Sequence, residues 1–393
     1  MGHSCSGCSV PPEPSKRLRP AFAKLFNLRP IKGLWVACFL GALLVLFASL
    51  TDILPTNADQ NRQHRYEPAN TTELLRAPNA IPVKVGGYIE NYHDLSLENR
   101  RFVAEGYYWL EWPQALEDVI EQQGLKPIDV FEITNQVDEW DSKFSSATDT
   151  ATKLPNGNFY LQVRFSGHFY IPDLNLKHSP FESLELPIII ETRDDSLALE
   201  NANVVLTKDN PKDSLVGSYG EIDGYKLVST TMMPMVHSYG TSWGLNKGDL
   251  RYSAMEIVSL LKSSVVASLV IWVLPVLIVM GIVLLAPSLA GELGDIRLAI
   301  PSTGMLTLIF LQQTYRSELP ALDYLTFLDW MYAFGYIISI LTFLLFVWST
   351  NIYQNAAEDD KGLAVLRINK IDKVFQLSAL VCLVLGAGLA WRA

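Results

Sequence analysis

No charge interrupts residues 298–315, a length that, wound as a helix, crosses the ~30 Å apolar core of a bilayer. The stretch is not uniformly apolar. At helical pitch Ala299, Thr303, Leu306, Phe310, Gln313 and Ser317 fall on one narrow stripe, flanked by Thr307 and Thr314. Hydroxyls and amides turned to lipid cost free energy, so this stripe has to face other helices or a water-filled path. Hydrogen bonding between helices satisfies such groups as well as a pore does. The flanks favour a path. Glu292 and Asp295 precede the stripe, and Arg316 and Glu318 follow it, setting charge at both mouths as ion conduction needs.

Further apolar stretches approach or exceed spanning length at residues 33–51, 265–286, 325–353 and 374–391, uncharged apart from Asp329 near the start of the third. With 49% hydrophobic residues and a positive mean hydropathy, the chain reads as a membrane protein. Its net charge of −10 argues against a nucleic-acid partner. The acidic residues fall mostly between the first and second spans, and that negative face either concentrates cations or is simply solvated.

Residues 1–32 read as a basic disordered tail on the cytoplasmic side, with Pro11, Pro12, Pro14 and Pro20 among Lys16, Arg17, Arg19, Lys24, Arg29 and Lys32. A basic leader before the 33–51 apolar run fits a signal sequence or an uncleaved anchor helix equally well. Thr56-Asn57-Ala58 is the cleavage candidate, and in both cases the chain beyond it is exported. Met1-Gly2 with Ser6 matches a myristoylation pattern, with Cys5 and Cys8 as acyl sites. The Cys5–Cys8 spacing is also that of a metal or redox pair, but no second pair accompanies it. Cys38 and Cys382 lie in apolar spans, so the exported segment has no cysteine and no disulfide.

Residues 52–79 are polar, hold Pro55, Pro68 and Pro78, and read as a linker. Residues 80–262 then run in short alternating stretches rich in β-formers, among them 83–88, 101–109, 158–165, 186–191 and 225–231. Asn156-Gly157 is a hairpin signal. About ten strands predict one antiparallel β-sandwich, with a four-helix transmembrane bundle over residues 263–393 and the 33–51 helix as an extra.

These residues carry a family resemblance. MLTLIFLQQTYRSELPALDYLTFLD resembles the second and third membrane helices, and the turn between them, of bacterial pentameric ligand-gated ion channels, relatives of the Cys-loop receptors. PVKVGGYIENYHDLSLENRRFVAEGYYWLEW resembles the first two strands of that family's ligand-binding domain, and KPIDVFEITN the segment reaching the principal face of the subunit interface. FSGHFYIPDLNLKHSPFESLELPIIIE resembles the signature loop, with Glu182 where the family usually has Asp and Leu184 where Gln often follows. The missing disulfide matches many bacterial members.

The resemblance implies a ligand-gated, cation-selective channel in the cell (inner) membrane. Its β-sandwich would lie in the periplasm or extracellular space, and its partners would be four further copies of itself, a small-molecule or ionic agonist, and lipid. The stripe residues then form stacked rings: Asp295 and Glu292 select cations at the inner mouth, Thr303 meets partly dehydrated ions, and Leu306 and Phe310 form the dry gate. Gln313 and Ser317 line the outer vestibule. The resemblance further implies that Glu182 and Phe181 of the signature loop, Asp94 in the first hairpin and Lys262, standing where the family has Arg, couple domain to pore. The agonist site would draw on Tyr239 and Trp243 of SYGTSWG, on Tyr225 and Trp140, and on Asp194 and Asp195 of ETRDDSLALEN. An amine, a divalent cation, another small molecule and protons all suit that set.

Pro275 leaves the carbonyl of Ile271 without its helical partner and should loosen its helix there. Pro301 departs from the family pattern and either starts the regular pore helix or kinks it; Asp323 alters the outer turn. Residues 354–373 read as a basic loop with Lys361, Arg367, Lys370 and Lys373, inside by the positive-inside rule. A non-conducting sensor of the same fold is the alternative function. No enzyme is expected and no cofactor: the six His are scattered, and no HExxH, GxSxG or phosphate loop is present.

Overall fold

A computed structural model describes residues 66–392 apart from 149, 210–214, 242 and 245–249. The expected tail 1–32, the 33–51 helix, the Cys5–Cys8 pair and the first half of the 52–79 linker lie outside the described residues. Among those described, a β domain of thirteen strands precedes four helices long and apolar enough to cross a membrane.

Alternation builds the first hairpin. In β3 (Arg101–Trp112) Phe102, Ala104, Tyr108, Leu110 and Trp112 all point inward and are buried, as a period of two demands. Before it come β1 (Tyr66–Pro68) and β2 (Ile81–Ser96), and after it helix α1 (Gln114–Gln123), ended by Gly124 at φ 66°. Next come β4 (Phe131–Ile133), β5 (Gln136–Val137), β6 (Lys143–Ser146), β7 (Thr152–Lys153), β8 (Phe159–Tyr170), β9 (Ser183–Thr192), β10 (Val204–Lys208), β11 (Val216–Tyr219), β12 (Tyr225–Ser238) and β13 (Arg251–Ser263). Thr152 and Lys153 pair with Tyr160 and Phe159 across the turn expected at Asn156-Gly157.

One sheet runs β1-β12-β13-β9-β4. The other runs β10-β2-β3-β8-β5, with β11 also on β2 and with β6 and β7 on β8. Their inner faces share one apolar core, Leu184, Leu186, Ile188 and Ile190 of β9 facing Val83, Val85 and Ile89 of β2. Tyr92 donates across it to Ser259 Oγ at 2.7 Å. The arrangement corrects the expectation in three respects. There are more strands than expected, the first lies inside the expected linker, and β10 and β11 both pair with β2 in parallel. A parallel pairing is made through long connections and leaves no local turn signal to read.

Strand β13 passes almost directly into α2 (Val265–Ser288). Leu269–Val273 winds as a π turn immediately before Pro275, the loosening expected where Pro removes a backbone donor. Helix α3 (Gly294–Ser317) is continuous through Pro301, starting well before it and placing its ring on the buried face. Helix α4 (Phe327–Asn355) starts in a capping box between Thr326 and Asp329. Helix α5 (Glu358–Ala390) opens with one 3-10 turn and corrects the expected basic loop. Ala364, Ile368, Asp372, Phe375 and Ala379 are its buried face at helical spacing, with Arg367, Lys370 and Lys373 exposed on the other side. Gly304 and Gly335 admit the close approach of α2, α3 and α4. A Cβ on Gly304 would stand 2.6 Å from Val283 Cγ2, and one on Gly335 would stand 3.0 Å from Leu308 Cδ1.

The five-stranded sheet carries a pH-dependent cost. Burial, then the charges of Glu185 and Asp173, raise the Glu256 carboxyl above its ordinary 4.5. The folded chain therefore holds that proton more tightly than the unfolded one, and stability falls as pH rises. The cost is absent below 4.5, grows as the unfolded chain's carboxyl ionises above it while the folded one keeps its proton, and is complete once the folded carboxyl ionises beyond the raised value. Glu256→Gln is expected to raise the melting temperature at about pH 8, with the gain shrinking toward zero at about pH 4; an equal shift at both would refute it.

Candidate functional site

Helix α3 shows its two sides unequally. Arg297, Pro301, Leu308 and Tyr315 are buried. About half a turn round the cylinder, Ala299, Thr303, Leu306, Phe310, Gln313 and Ser317 are all exposed to some degree, as are Asp295 and Glu292 before them. Leu306 is 54% and Phe310 64% exposed. Only 17% of the apolar window of α3 is buried, against 33%, 50% and 28% for α2, α4 and α5. The hydroxyls on and beside the exposed face turn back on their own backbone: Thr307 donates to the Thr303 carbonyl at 2.9 Å, Thr314 to Phe310 at 3.1 Å and Ser317 to Thr314 at 2.7 Å. Their remaining lone pairs face outward, available to water or ions.

Polar knots hold the opposite side. Near the end next to the β domain Asp329, 1% exposed, accepts from Arg316 Nε at 2.9 Å and from Gln312 Nε2 at 3.3 Å. It also accepts from Thr326 N and Oγ1 at 3.0 and 2.8 Å. Tyr336 donates to Gln312 Oε1 at 2.6 Å. Arg316, expected as a mouth charge, is therefore neutralised within its own chain, whereas Glu318 stays exposed. At the other end Arg297 and Asp372, each 0% exposed, form an ion pair.

The β domain meets the helices at the loop after β8. Phe327 N donates to the Lys177 carbonyl at 2.8 Å, Leu176 N to Tyr324 Oη at 2.9 Å, and Ser263 Oγ to the Pro180 carbonyl at 2.8 Å. Phe181 packs on Phe327 and on Trp391 of the last turn, ring centroids 6.2 and 5.9 Å away. Glu182 is buried, but its partner is not Lys262. Tyr225 Oη donates to Glu182 Oε1 at 2.6 Å, and Oε2 has no hydrogen-bond partner. Strand pairing explains the change: Lys262 stands opposite Ser183 and its side chain is exposed, one position out of phase with buried Leu261. Burial, then Glu182, pushes the Tyr225 hydroxyl far above its ordinary range, so it remains a donor. Asp94 sits at φ 49° near the tip of the first hairpin, 3.1 Å from His93.

The residues expected to bind an agonist divide. Tyr225 and Tyr239 bracket opposite ends of β12, roughly 40 Å apart at strand rise, so Tyr225 belongs to the joint. Trp140 is 86% exposed on the turn between β5 and β6 and joins none of the cluster's ring contacts. Tyr239 packs on Trp243 at 5.1 Å, on Tyr252 at 5.5 Å and on His237 at 4.0 Å. Asp195 accepts from Tyr252, and Asp194 caps the following turn through Ser196 N at 2.8 Å.

Sequence reasoning missed the centre of this cluster. Glu191, almost fully buried, accepts from His237 Nδ1 at 2.7 Å and from Tyr239 Oη at 2.9 Å. Tyr66 of β1 stacks on His237 at 4.0 Å and 18° and shares a hydrogen bond with Thr134. Burial, then nearby carboxylates or bonds to them, raises the hydroxyls of Tyr239 and Tyr252 well above the ordinary 10, so both donate at neutral pH. Burial likewise raises the Glu132 carboxyl beside them. The one signal was a carboxylate ending the Ile-rich run of β9. The cluster offers aromatic faces and carboxylates together, a chemistry that suits a cationic guest.

No protein-family model matches the chain, and no curated protein is significantly similar to it.

Proposed function

We propose that the chain is one subunit of a ring-shaped, ligand-gated, cation-selective channel of the pentameric type that its motifs resemble. One observation carries the reading: the only stripe of hydroxyls, amide and bulky apolar groups on a spanning helix among those described is turned out of the subunit rather than into the bundle. Such a face is satisfied when copies of the chain surround a common aqueous axis. Asp295 and Glu292 then ring the inner mouth, and Leu306 and Phe310 close it by dewetting. Ligand held at the Tyr239–Glu191 cluster biases the ring through β12 and the Tyr225–Glu182 joint, by no more than its difference in affinity between the two states. The exposed bases of α5 lie at the end remote from the β domain, which supports a cytoplasmic side there and an exported β domain.

The test is purification of the full chain, determination of the assembly mass, and K⁺ flux in liposomes across a screen of amines, divalent cations and pH. A ring of copies with ligand-stimulated K⁺ flux is expected. A single subunit, or flux no greater than in empty liposomes under every condition, would overturn the reading; a silent ring would favour the sensor of the same fold.

A further inference from the structure

Arg297 and Asp372 are charged groups sunk completely inside the bundle, each with 0% side-chain exposure. Arg297 belongs to the first turns of α3 and Asp372 to α5. Arg297 Nη1 also reaches Ser349 Oγ of α4 at 3.5 Å, and its guanidinium stands 4.3 Å over the Phe346 ring. Three helices thus converge on one cation. The knot is under-satisfied: Arg297 Nε, Asp372 Oδ1 and Thr350 Oγ1 are buried without a hydrogen-bond partner. The backbone beneath it is weakened as well, because the residue four ahead of Arg297 is Pro301, which has no N–H to give the Arg297 carbonyl.

Two residues along a helix is about 200° of rotation, so Asp295 is exposed because Arg297 is not. An Arg without its carboxylate cannot stay inside an apolar bundle. Its nearest refuge is the water at the inner end of α3, where its long side chain can snorkel and stand beside Asp295. On the channel reading proposed for this chain, we infer that Asp372 is a positioning residue for ion selectivity: it retains Arg297 inside the bundle and so leaves the Asp295 carboxylate unopposed at the inner mouth.

The test compares the full-length protein with Asp372→Asn, Asp372→Glu and the double variant Arg297→Met/Asp372→Leu, all in a Leu306→Ala background that needs no ligand. Each is reconstituted in planar bilayers under a KCl gradient, and its melting temperature is read in detergent. The Leu306→Ala parent and Asp372→Glu are expected to share a cation-side reversal potential. Asp372→Asn shifts it toward the chloride side and melts lower. The double variant, having no cation to release, regains the parental reversal potential and melts above Asp372→Asn. An unshifted Asp372→Asn, or a double variant shifted as far as Asp372→Asn, would overturn the proposal. If no protein conducts, the channel reading fails by itself. Melting then decides the pair: Asp372→Asn below the double variant supports retention of Arg297 by Asp372, and equal melting refutes it.

Discussion

Asp329→Asn is expected to be the most destabilising single exchange at the end of the bundle next to the β domain, lowering stability by about 2–4 kcal/mol. Asp329 is almost fully buried and serves two tasks with two oxygens. Oδ2 caps α4 through Thr326 and also meets Arg316 Nη2 at 2.8 Å, while Oδ1 receives Arg316 Nε and Gln312 from α3. Charge-assisted bonds contribute about 1.5–3 kcal/mol each. Asn keeps a single carbonyl oxygen, so either the cap or the Arg316 contact faces an NH₂ group. Arg316 is 31% exposed and can be rehydrated in part, which holds the loss below that of a fully enclosed pair. Thermal unfolding in detergent would show the drop. Arg316→Gln, which leaves the cap intact, should cost less, and an equal or larger loss there would place the energy in the ion pair alone.

Leu306→Ala is expected to leave the fold almost untouched and, on the five-copy channel reading proposed above, to open the ring. Leu306 stands 54% exposed and contributes little to the subunit's packing. If closure buries about one methylene's worth of apolar surface per copy, about 0.8 kcal/mol, five copies bias the closed state by about 4 kcal/mol. That is roughly a thousandfold in the closed-to-open ratio. Ligand-independent K⁺ leak is the measurement. Leu308 is the control, two residues on and 0% exposed. Its replacement by Ala should cost about 2–5 kcal/mol of stability. A leak from the Leu308 variant but none from the Leu306 variant would mean the helix presents its other side to the ion path.

What could be read in advance was whatever repeats at short range. The β9 alternation Leu184, Leu186, Ile188, Ile190, the loosening before Pro275 and the outward stripe of α3 are all periodicities or single-residue effects. What escaped depends on distant partners. Nothing local to Tyr66, Glu191, His237 or Tyr252 says that four separate strands deliver them to one place. The basic stretch before Val374 looked like a loop because its charges were counted without its apolar period. Once Ala364, Ile368 and Asp372 are placed on one face, Asp372 emerges as the odd member of a buried row. Lys262 was assigned by position in a motif, and strand phase overruled it.

The last turn of α5 does more than complete the helix. Trp391 lies 5.0 Å from His178, 5.9 Å from Phe181 and 5.4 Å from Phe327, ring centre to ring centre. It ties α5 to both the loop after β8 and the head of α4. Any shift of the β domain against the helices therefore has to carry the last turn of α5 with it or break three ring contacts.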